Sequence, residues 1–463
     1  MNKPVMTFRA DRHPSESYED ILERDTRPVP DHLREQEVRE IGTDPVPVSR
    51  YYDQAHFQKE IDCVWSRIWQ LACREEDIPN VGDYQIYEIV GKSLIVTRTA
   101  PGEIKAFYNS CLHRARKLVT LNGCKSEFRC PYHGIAWNTD GTFKDNPIAW
   151  DFPQWKDRDM SLPEAKVGTW GGFVFINFDL NSLPLEHYIG PLARDFERYD
   201  FANRYKAVHV AKVIKANWKA VAEAFMESHH SITTHPQILP FLADVNSQYD
   251  FLSDYITRQF SATGVVSPVA DRKYTDTEII RAMAGQGGGT RRRVGGADGD
   301  TEVPQGITAR AFAAEQSRKA LAAEDGWDYS VASDAEMIDA LLYNMWPHMS
   351  FWAGYAPNLI YRWRPNGLDP ESAIMDVMIL KPVPKNGTRP PPIPVHMLGE
   401  NERWSDAAEL GGLAGVFEQD MGNLPFVQEG LRSSGAGVVH FGRYTEMRIR
   451  QLHKLLDRYM GMS

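Results

Sequence analysis

The early part of the chain alternates short apolar runs with turn residues. Residues 84–90 and 93–98 place apolar side chains at nearly every second position, which predicts β-strands, and the run 171–178 closes the set. Helix-forming residues fill 53–71, ahead of these strands. We therefore predict a small antiparallel β-domain with a leading helix over 46–178.

Either side of this domain the pattern differs. Residues 1–45 are polar and dotted with proline, which is typical of an arm rather than a domain. Beyond residue 178 helical and strand patterns mix, so we predict one larger α+β domain over 179–463. Its predicted elements are a helix over 217–235, strands near 351–363 and 373–381, a short helix over 423–431 and a C-terminal helical apolar stripe of Tyr444, Met447, Leu452, Leu455, Leu456 and Tyr459.

One segment of the larger domain is rich in glycine. Residues 284–300 contain seven glycines and the tight basic run Arg291-Arg-Arg293. A nucleotide-binding glycine loop needs a strand before it and a helix after it, and neither is evident here. We interpret the segment as a flexible insertion and expect that the chain does not bind NADH itself.

Composition and charge exclude several classes of protein. With 463 residues and 42% hydrophobic content, the chain is long enough for two or more domains with sizeable cores. A net charge of −10 argues against a nucleic-acid partner. No run of eighteen apolar residues and no apolar signal core occurs, and five cysteines fit a reducing compartment. We expect a cytoplasmic protein with no membrane association.

Four residues in two short loops carry the strongest chemical signal. Cys111-Leu-His113 is followed, after sixteen residues, by Cys130-Pro-Tyr-His133. Two thiolates can hold one iron of a [2Fe-2S] cluster while two neutral imidazoles hold the other. The alternative is a structural zinc site, although zinc usually takes Cys-x2-Cys or His-x3-His pairs.

A second motif follows in the larger domain. Residues 227–236 read Glu227-x2-His230-x4-His235-Pro236. On a regular helix the two histidines would point about 140° apart, so they could share a metal only at a break. Pro236 provides one, because the residue before a proline avoids the α region. Two imidazoles and one carboxylate would leave open positions on Fe(II) for O2 and substrate.

These motifs together resemble those of one enzyme family. Residues 111–118 and 130–137 resemble the two cluster loops of the Rieske non-haem iron oxygenases, and 217–236 resemble their mononuclear iron motif. The resemblance covers most of the chain and is strongest to the terminal oxygenase (α) subunits of aromatic ring-hydroxylating dioxygenases. It implies a Rieske [2Fe-2S] domain, a catalytic α+β domain with a curved antiparallel sheet of the helix-grip type, and two cofactors, the [2Fe-2S] cluster and mononuclear Fe(II).

The resemblance also assigns two acidic residues. Asp420 is implied as the carboxylate ligand beside His230 and His235, with Glu418 in reserve; taken alone, Asp420 could equally be the N-cap of the helix over 423–431. Glu227 could by itself be a ligand, a partner of a ligand or a surface charge. The resemblance implies that it bridges His133 of one subunit to His230 of the next, which requires a ring-shaped oligomer.

The implied activity is that of a multicomponent oxygenase. Electrons from a ferredoxin or an NAD(P)H-dependent reductase would pass through the cluster, and a small aromatic or hydrophobic cyclic substrate would be hydroxylated with O2, often to a cis-dihydrodiol. The oligomer would be a homotrimer, alone or with β subunits. Monooxygenation or O- or N-demethylation is the alternative reaction, and an iron–sulfur electron carrier is the non-enzymatic alternative.

Three positions depart from the family pattern. Ala115 replaces a usual glycine, which raises the question whether its backbone needs a positive φ. Ala224 stands where an asparagine near the iron is common. His229 replaces a usual tyrosine and competes with His230 as a ligand, but only His230 preserves the Glu-x2-His-x4-His spacing.

Overall fold

The computed structural model describes residues 12–285, 301–356 and 358–462. The predicted insertion over 284–300 therefore lies outside the described residues apart from its first two positions. The described α-helices are α1 (Tyr18–Leu22), α2 (Asp31–Arg34), α3 (Gln54–Glu60), α4 (Leu185–Phe196), α5 (Trp218–Glu223), α6 (Ser231–Thr234), α7 (Asp276–Gly285), α8 (Ala309–Asp325), α9 (Asp334–Ile338), α10 (Leu413–Met421), α11 (Leu424–Ser433) and α12 (Met447–Met460).

The first β-domain consists of two antiparallel sheets. Its strands and a short preceding strand are β1 (Val46–Pro47), β2 (Gln70–Arg74), β3 (Asp83–Ile89), β4 (Lys92–Ala100), β5 (Glu103–Tyr108), β6 (Gly123–Cys124), β7 (Glu127–Arg129), β8 (Ala136–Asn138), β9 (Phe143–Asp145), β10 (Glu164–Trp170) and β11 (Phe173–Asn177). A seven-stranded sheet has the order β2-β11-β10-β5-β4-β3-β6, and a three-stranded sheet has the order β7-β8-β9. The predicted strands at 84–90, 93–98 and 171–178 correspond to β3, β4 and β11.

The second domain is built on one large sheet. Its strands are β12 (Arg204–Ile214), β13 (Gln248–Phe251), β14 (Ile256–Ser261), β15 (Ala340–Met345), β16 (Met349–Trp352), β17 (Asn358–Asn366), β18 (Asp369–Pro382) and β19 (His396–Leu398), and β20 (Val438–Val439) pairs with β1 outside it. The order is β13-β14-β15-β16-β17-β18-β12-β19, antiparallel except for the β12–β19 pair. Helix α12 packs against this sheet, and the predicted stripe residues Leu452, Leu455 and Leu456 are buried in the core. The α+β class and the curved antiparallel sheet are confirmed.

The described part of the arm packs on the second domain. Tyr18, Ile21 and Leu22 of α1 are buried in the main core. The hydroxyl of Tyr18 donates a hydrogen bond to Asp339 at 2.9 Å, and the carboxylate of Asp25 accepts one from the amide of Ala335 at 2.8 Å.

Two predicted helices end earlier than expected. The leading helix, predicted over 53–71, continues from α3 through one wide turn to Trp65 and then gives way to β2. Its end is fixed locally, because the hydroxyl of Ser66 donates to the carbonyl of Ile61 and the side-chain amide of Gln70 donates to the carbonyl of Trp65, both at 2.7 Å. The prediction of helix through residue 71 is therefore wrong.

The helix predicted over 217–235 is two short helices, α5 and α6, joined by turns. The carbonyl of Met226 accepts a hydrogen bond from Arg448 of α12 at 3.0 Å instead of one from within a helix. The expected break at the proline is also present, since His235 ends α6 with φ −126° and ψ 50°, outside the α region.

Among the described helices, none is both long enough and apolar enough to cross a bilayer.

Candidate metal centres

The first cysteine loop is a tight turn that follows β5. The amide of Cys111 donates to the carbonyl of Arg116, and the amide of Ala115 donates back to the carbonyl of Cys111, both at 2.9 Å. Ala115 has φ +59°, so this position does need a left-handed backbone although it carries a side chain. Buried Asn109, which the sequence analysis did not single out, anchors the end of the loop by accepting the amide of Leu118 at 2.9 Å.

The second loop repeats the first. It connects β7 to β8, with the amide of Cys130 donating to the carbonyl of Ile135 at 2.8 Å and the amide of Gly134 donating to the carbonyl of Cys130 at 2.9 Å. Gly134 has φ +80° and is the counterpart of Ala115. Each loop therefore presents one cysteine and one histidine in the same local geometry.

The four side chains form two like pairs. Cys111 and Cys130 are 3% and 1% exposed, and burial together with the neighbouring Cys130 thiol raises the pKa of Cys111. The imidazoles of His113 and His133 lie with ring centroids 4.6 Å apart. Nδ1 of His113 is buried without a hydrogen-bond partner among the described residues.

This pairing fits a two-iron cluster. A [2Fe-2S] cluster of the Rieske type takes two thiolates on one iron and two imidazoles on the other, so like ligands must be adjacent. The unpartnered nitrogen of His113 is the atom such an iron would use. Desolvation, together with His113 and Arg114, lowers the pKa of His133, which favours the neutral ring that binds metals.

A second group of side chains that could hold a metal ion lies where α6 meets α10. One ligand atom each from His230, His235 and Asp420 lies within 4.8 Å of the other two. Oδ1 of Asp420 is 3.0 Å from Nε2 of His235 and 3.7 Å from Nε2 of His230. Two imidazoles and a carboxylate on one side of a metal are the donor set of non-haem Fe(II) oxygenases, and this geometry fits it.

The position of Asp420 excludes one of the interpretations left open for it. Asp420 lies inside α10, one residue before its end, and Asn423 holds the N-cap position of α11. The N-cap alternative is therefore wrong. The reserve candidate Glu418 points elsewhere, since its carboxylate accepts the amide of Ser405 at 3.1 Å.

Glu227 holds His230 from the side opposite Asp420. Oε1 of Glu227 lies 2.5 Å from Nδ1 of His230, which leaves Nε2 as the lone-pair nitrogen facing Asp420. Despite burial, which would raise it, the pKa of Glu227 falls to about 2 because His229 and His230 lie against the carboxylate. His229 contacts Glu227 at 2.9 Å but is not part of the converging group.

A cavity of about 180 Å³ adjoins the converging group. It lies between strands β14–β17 and the helices α6 and α10. Most of its surface is apolar, and Ala224 is among its lining residues, so the hydrogen bond that an asparagine would offer there is absent. The aromatic residues that line it are Phe225, Phe241, Trp352, Tyr361 and Phe417.

Curated relatives match part of the chain. The carnitine monooxygenase oxygenase subunit of Escherichia coli (strain K12) is 29% identical over 194 residues, which is 41% of this chain and 52% of that protein. The biphenyl 2,3-dioxygenase subunit alpha of Rhodococcus jostii (strain RHA1) is 31% identical over 193 residues, 40% of this chain and 42% of that protein. The matched segment thus spans about half the length of these curated relatives.

Solved structures match nearly the whole fold. A quaternary ammonium Rieske monooxygenase in complex with L-carnitine has a TM-score of 0.62 at 16% identity, covering 92% of this chain and all of the other. Naphthalene 1,2-dioxygenase from Rhodococcus sp. has a TM-score of 0.60 at 18% identity, covering 90% and 94%.

Family models match both domains. The Rieske [2Fe-2S] domain matches residues 68–156, and the catalytic domain of the ring-hydroxylating alpha subunit matches residues 196–462, more than half of the chain. These matches contain both pairs of cluster residues and the group formed by His230, His235 and Asp420. The chain therefore belongs to the family of ring-hydroxylating oxygenase α subunits, with a Rieske domain ahead of the catalytic domain.

Proposed function

We propose that this chain is the terminal oxygenase component of a multicomponent Rieske oxygenase. The observation that carries the proposal is the convergence of His230, His235 and Asp420 beside an apolar cavity. The same chain also brings two cysteines together and two histidines together in the cluster loops. When bound, the cluster would supply single electrons and the Fe(II) would bind O2. Cys111, His113, Cys130 and His133 would hold the first, and the three converging residues the second.

Iron content and isotope incorporation test this function. The purified protein should be red-brown, contain three irons per chain and incorporate ¹⁸O from labelled O2 into a product when supplied with reductant. A simple electron carrier would contain two irons, and a zinc protein would be colourless. Either of these results, or a product labelled only from water, would refute the proposal.

The lining of the cavity supports a neutral hydrophobic substrate. Its charged side chains among the described residues are Glu227, Asp420 and the histidines, with neither lysine nor arginine. A substrate carboxylate would therefore be desolvated beside other carboxylates without a cationic partner, which is costly. The five aromatic side chains suit an aromatic or cyclic ring. We propose such a compound as the substrate, with dihydroxylation as the expected reaction.

The side-chain amide of Gln259 is a polar group in the lining of the cavity. Gln259 lines it, and Arg448 donates to the Oε1 atom of this glutamine, so the amide NH2 is directed away from Arg448 and donates to Ser261 at 3.3 Å. The second N–H could donate to a substrate oxygen. Ring compounds with and without one carbonyl or hydroxyl should differ in KM, and Gln259→Leu should remove that difference.

The quaternary ammonium relatives make monooxygenation or demethylation the second candidate. The same aromatic side chains and nearby carboxylates suit a trimethylammonium group. A panel containing a neutral aromatic compound, choline and carnitine separates the candidates by coupled O2 consumption. Turnover of the aromatic compound alone supports the main proposal, and turnover of choline supports demethylation or monooxygenation. Turnover of carnitine contradicts the argument that the cavity disfavours a substrate carboxylate.

Both metal sites adjoin exposed apolar side chains. Tyr132, whose ring contacts that of His133, is exposed, and so is Ile232, two residues after His230; Trp150 is 82% exposed. Such patches are typical of interfaces. We infer a ring-shaped homotrimer, alone or with β subunits, in which His133 of one subunit meets Glu227 of the next.

Subunit complementation tests this arrangement. Cys130→Ser should abolish the cluster and His230→Ala the mononuclear iron, so each variant alone should be inactive. Co-expressed in one cell, they should form mixed rings that recover part of the activity, because an intact cluster then faces an intact iron in a neighbour. A chain carrying both changes, co-expressed with the His230→Ala chain, is the control and should remain inactive. Absence of recovery in mixed rings would contradict electron transfer between subunits.

The electron donor is proposed to be a ferredoxin or an NAD(P)H-dependent reductase. The cluster of the purified protein should stay oxidised with NADH alone and become reduced when a compatible donor is added. Reduction by NADH without a donor would contradict the proposal.

A further inference from the structure

His235 is held by a glutamine on the helix that carries Asp420. Nδ1 of His235 lies 2.8 Å from Oε1 of Gln419, while Nε2 of the same ring faces Asp420 at 3.0 Å. An amide oxygen can only accept, so the proton of the neutral ring lies on Nδ1 and the lone pair on Nε2. That is the tautomer in which Nε2 can bind a metal.

The orientation of the Gln419 amide is linked to that of a second glutamine. Nε2 of Gln237 donates to Oε1 of Gln419 at 2.7 Å, and Nε2 of Gln419 donates to Oε1 of Gln237 at 3.2 Å. Turning over only one of the two amides would place their NH2 groups against each other and their oxygens likewise, so the two amide orientations are linked. Gln237 follows the His235-Pro236 pair directly, so the two glutamines also tie the loop after α6 to α10.

We propose that Gln419 and Gln237 are positioning residues, which hold His235 in its metal-binding tautomer and at its distance from Asp420. The proposal rests on the proposed function, in that His235 and Asp420 are taken to bind the mononuclear metal. Glu227 has the corresponding role for His230, so each imidazole is held by one acceptor from a different side. An acceptor of this kind typically changes metal affinity 10–100-fold when it is removed, by analogy with other imidazole sites.

Cobalt titration of the cluster-loaded protein tests the proposal without relying on turnover. After a mild chelator has removed the mononuclear iron, Co(II) binding is followed by absorbance in the wild type and in Gln419→Met, Gln419→Glu, Gln237→Met and Gln58→Met. Gln419→Met keeps the length of the side chain but removes the acceptor, and we expect a Kd about 10–100-fold weaker. Gln419→Glu restores an acceptor and should bind within about threefold of the wild type. Gln58, which is exposed on α3, is the matched control and should leave the Kd unchanged.

Two further measurements separate a positioning role from a general loss of folding stability. The thermal midpoint of the metal-depleted protein and the cluster absorbance should not change in any of these variants, and Gln237→Met should weaken Co(II) binding less than Gln419→Met. Wild-type affinity in Gln419→Met, or equal weakening in Gln419→Glu, would overturn the proposal. If the wild type itself binds no Co(II) at this site, the proposed function fails instead.

Discussion

The carboxylate of Glu227 contacts both the side chain and the backbone of His230. Oε1 lies 2.5 Å from Nδ1 of the ring, and Oε2 accepts the backbone amide at 3.1 Å. One acidic side chain therefore fixes the tautomer, the orientation and the local turn of this histidine. His229 also approaches Oε2, at 2.9 Å, from the more exposed side of the carboxylate.

Replacing this carboxylate should separate metal binding from electron transfer. Glu227→Gln keeps an acceptor for Nδ1 of His230, so three irons and normal colour are expected. The loss of the negative charge should prevent the cluster from being reoxidised when the dithionite-reduced enzyme is mixed with O2 and substrate. Rapid-mixing absorbance measures this, with Glu186→Gln, at an exposed position of α4, as the control. Reoxidation at the wild-type rate would exclude Glu227 from the electron path.

The adjacent histidines should behave differently on substitution. His230→Ala should lose the mononuclear iron and all turnover, since it removes a side chain of the converging group. His229→Tyr should keep the iron and substantial activity, because His229 contacts Glu227 but not Asp420. Iron analysis of both variants is the measurement. Loss of iron in the His229 variant and retention in the His230 variant would reverse the assignment.

The left-handed positions of the two cluster loops predict opposite effects of small substitutions. Ala115→Gly relieves a strained backbone at φ +59° and should stabilise the domain by up to about 1 kcal/mol. Gly134→Ala introduces the same strain, and its Cβ would lie 3.2 Å from Pro147, so a loss of about 1–2 kcal/mol is expected. Urea unfolding followed by cluster absorbance compares them. If both substitutions changed the free energy of unfolding in the same direction, the backbones of Ala115 and Gly134 would not be equivalent.

Buried His348 predicts a loss of stability in acid. Burial, with Arg362 and Arg364 nearby, lowers the pKa of His348 from 6.5 to about 3. The unfolded chain therefore takes up a proton below pH 6.5 that the folded protein does not, so the contribution is full above pH 6.5 and is lost as the pH falls, by about 1.4 kcal/mol per unit. Urea unfolding at pH 7 and pH 5 should show a smaller pH effect in His348→Leu than in the wild type. Equal effects in both proteins would contradict this assignment.

The pairing of a cysteine with a histidine in each cluster loop can be predicted from the sequence because it is local. Cys111 and His113, like Cys130 and His133, lie within one tight turn, so spacing along the chain limits spacing in space. It also predicted the break at His235, because Pro236 acts on its immediate neighbour.

Features that depend on distant partners were not predictable in the same way. The helix over 217–235 ends after Glu223, and the carbonyl of Met226 is instead satisfied by Arg448, 222 residues away. The roles of Gln419 and Gln237 likewise depend on α10 meeting the loop after α6, which no local pattern indicates. Asp420 is predicted as a ligand only through the family resemblance, since the sequence alone equally allows it to be the N-cap of the helix that follows.

The packing of the arm has a consequence for the order of folding during synthesis. The hydrogen bonds of Tyr18 with Asp339 and of Asp25 with Ala335 can form only after residues more than 300 positions later have left the ribosome. Until then the segment around α1 lacks these two hydrogen bonds, so it is held less firmly and is more open to proteases while the intervening residues are made. The arm thus completes its native contacts long after its own residues have been synthesised.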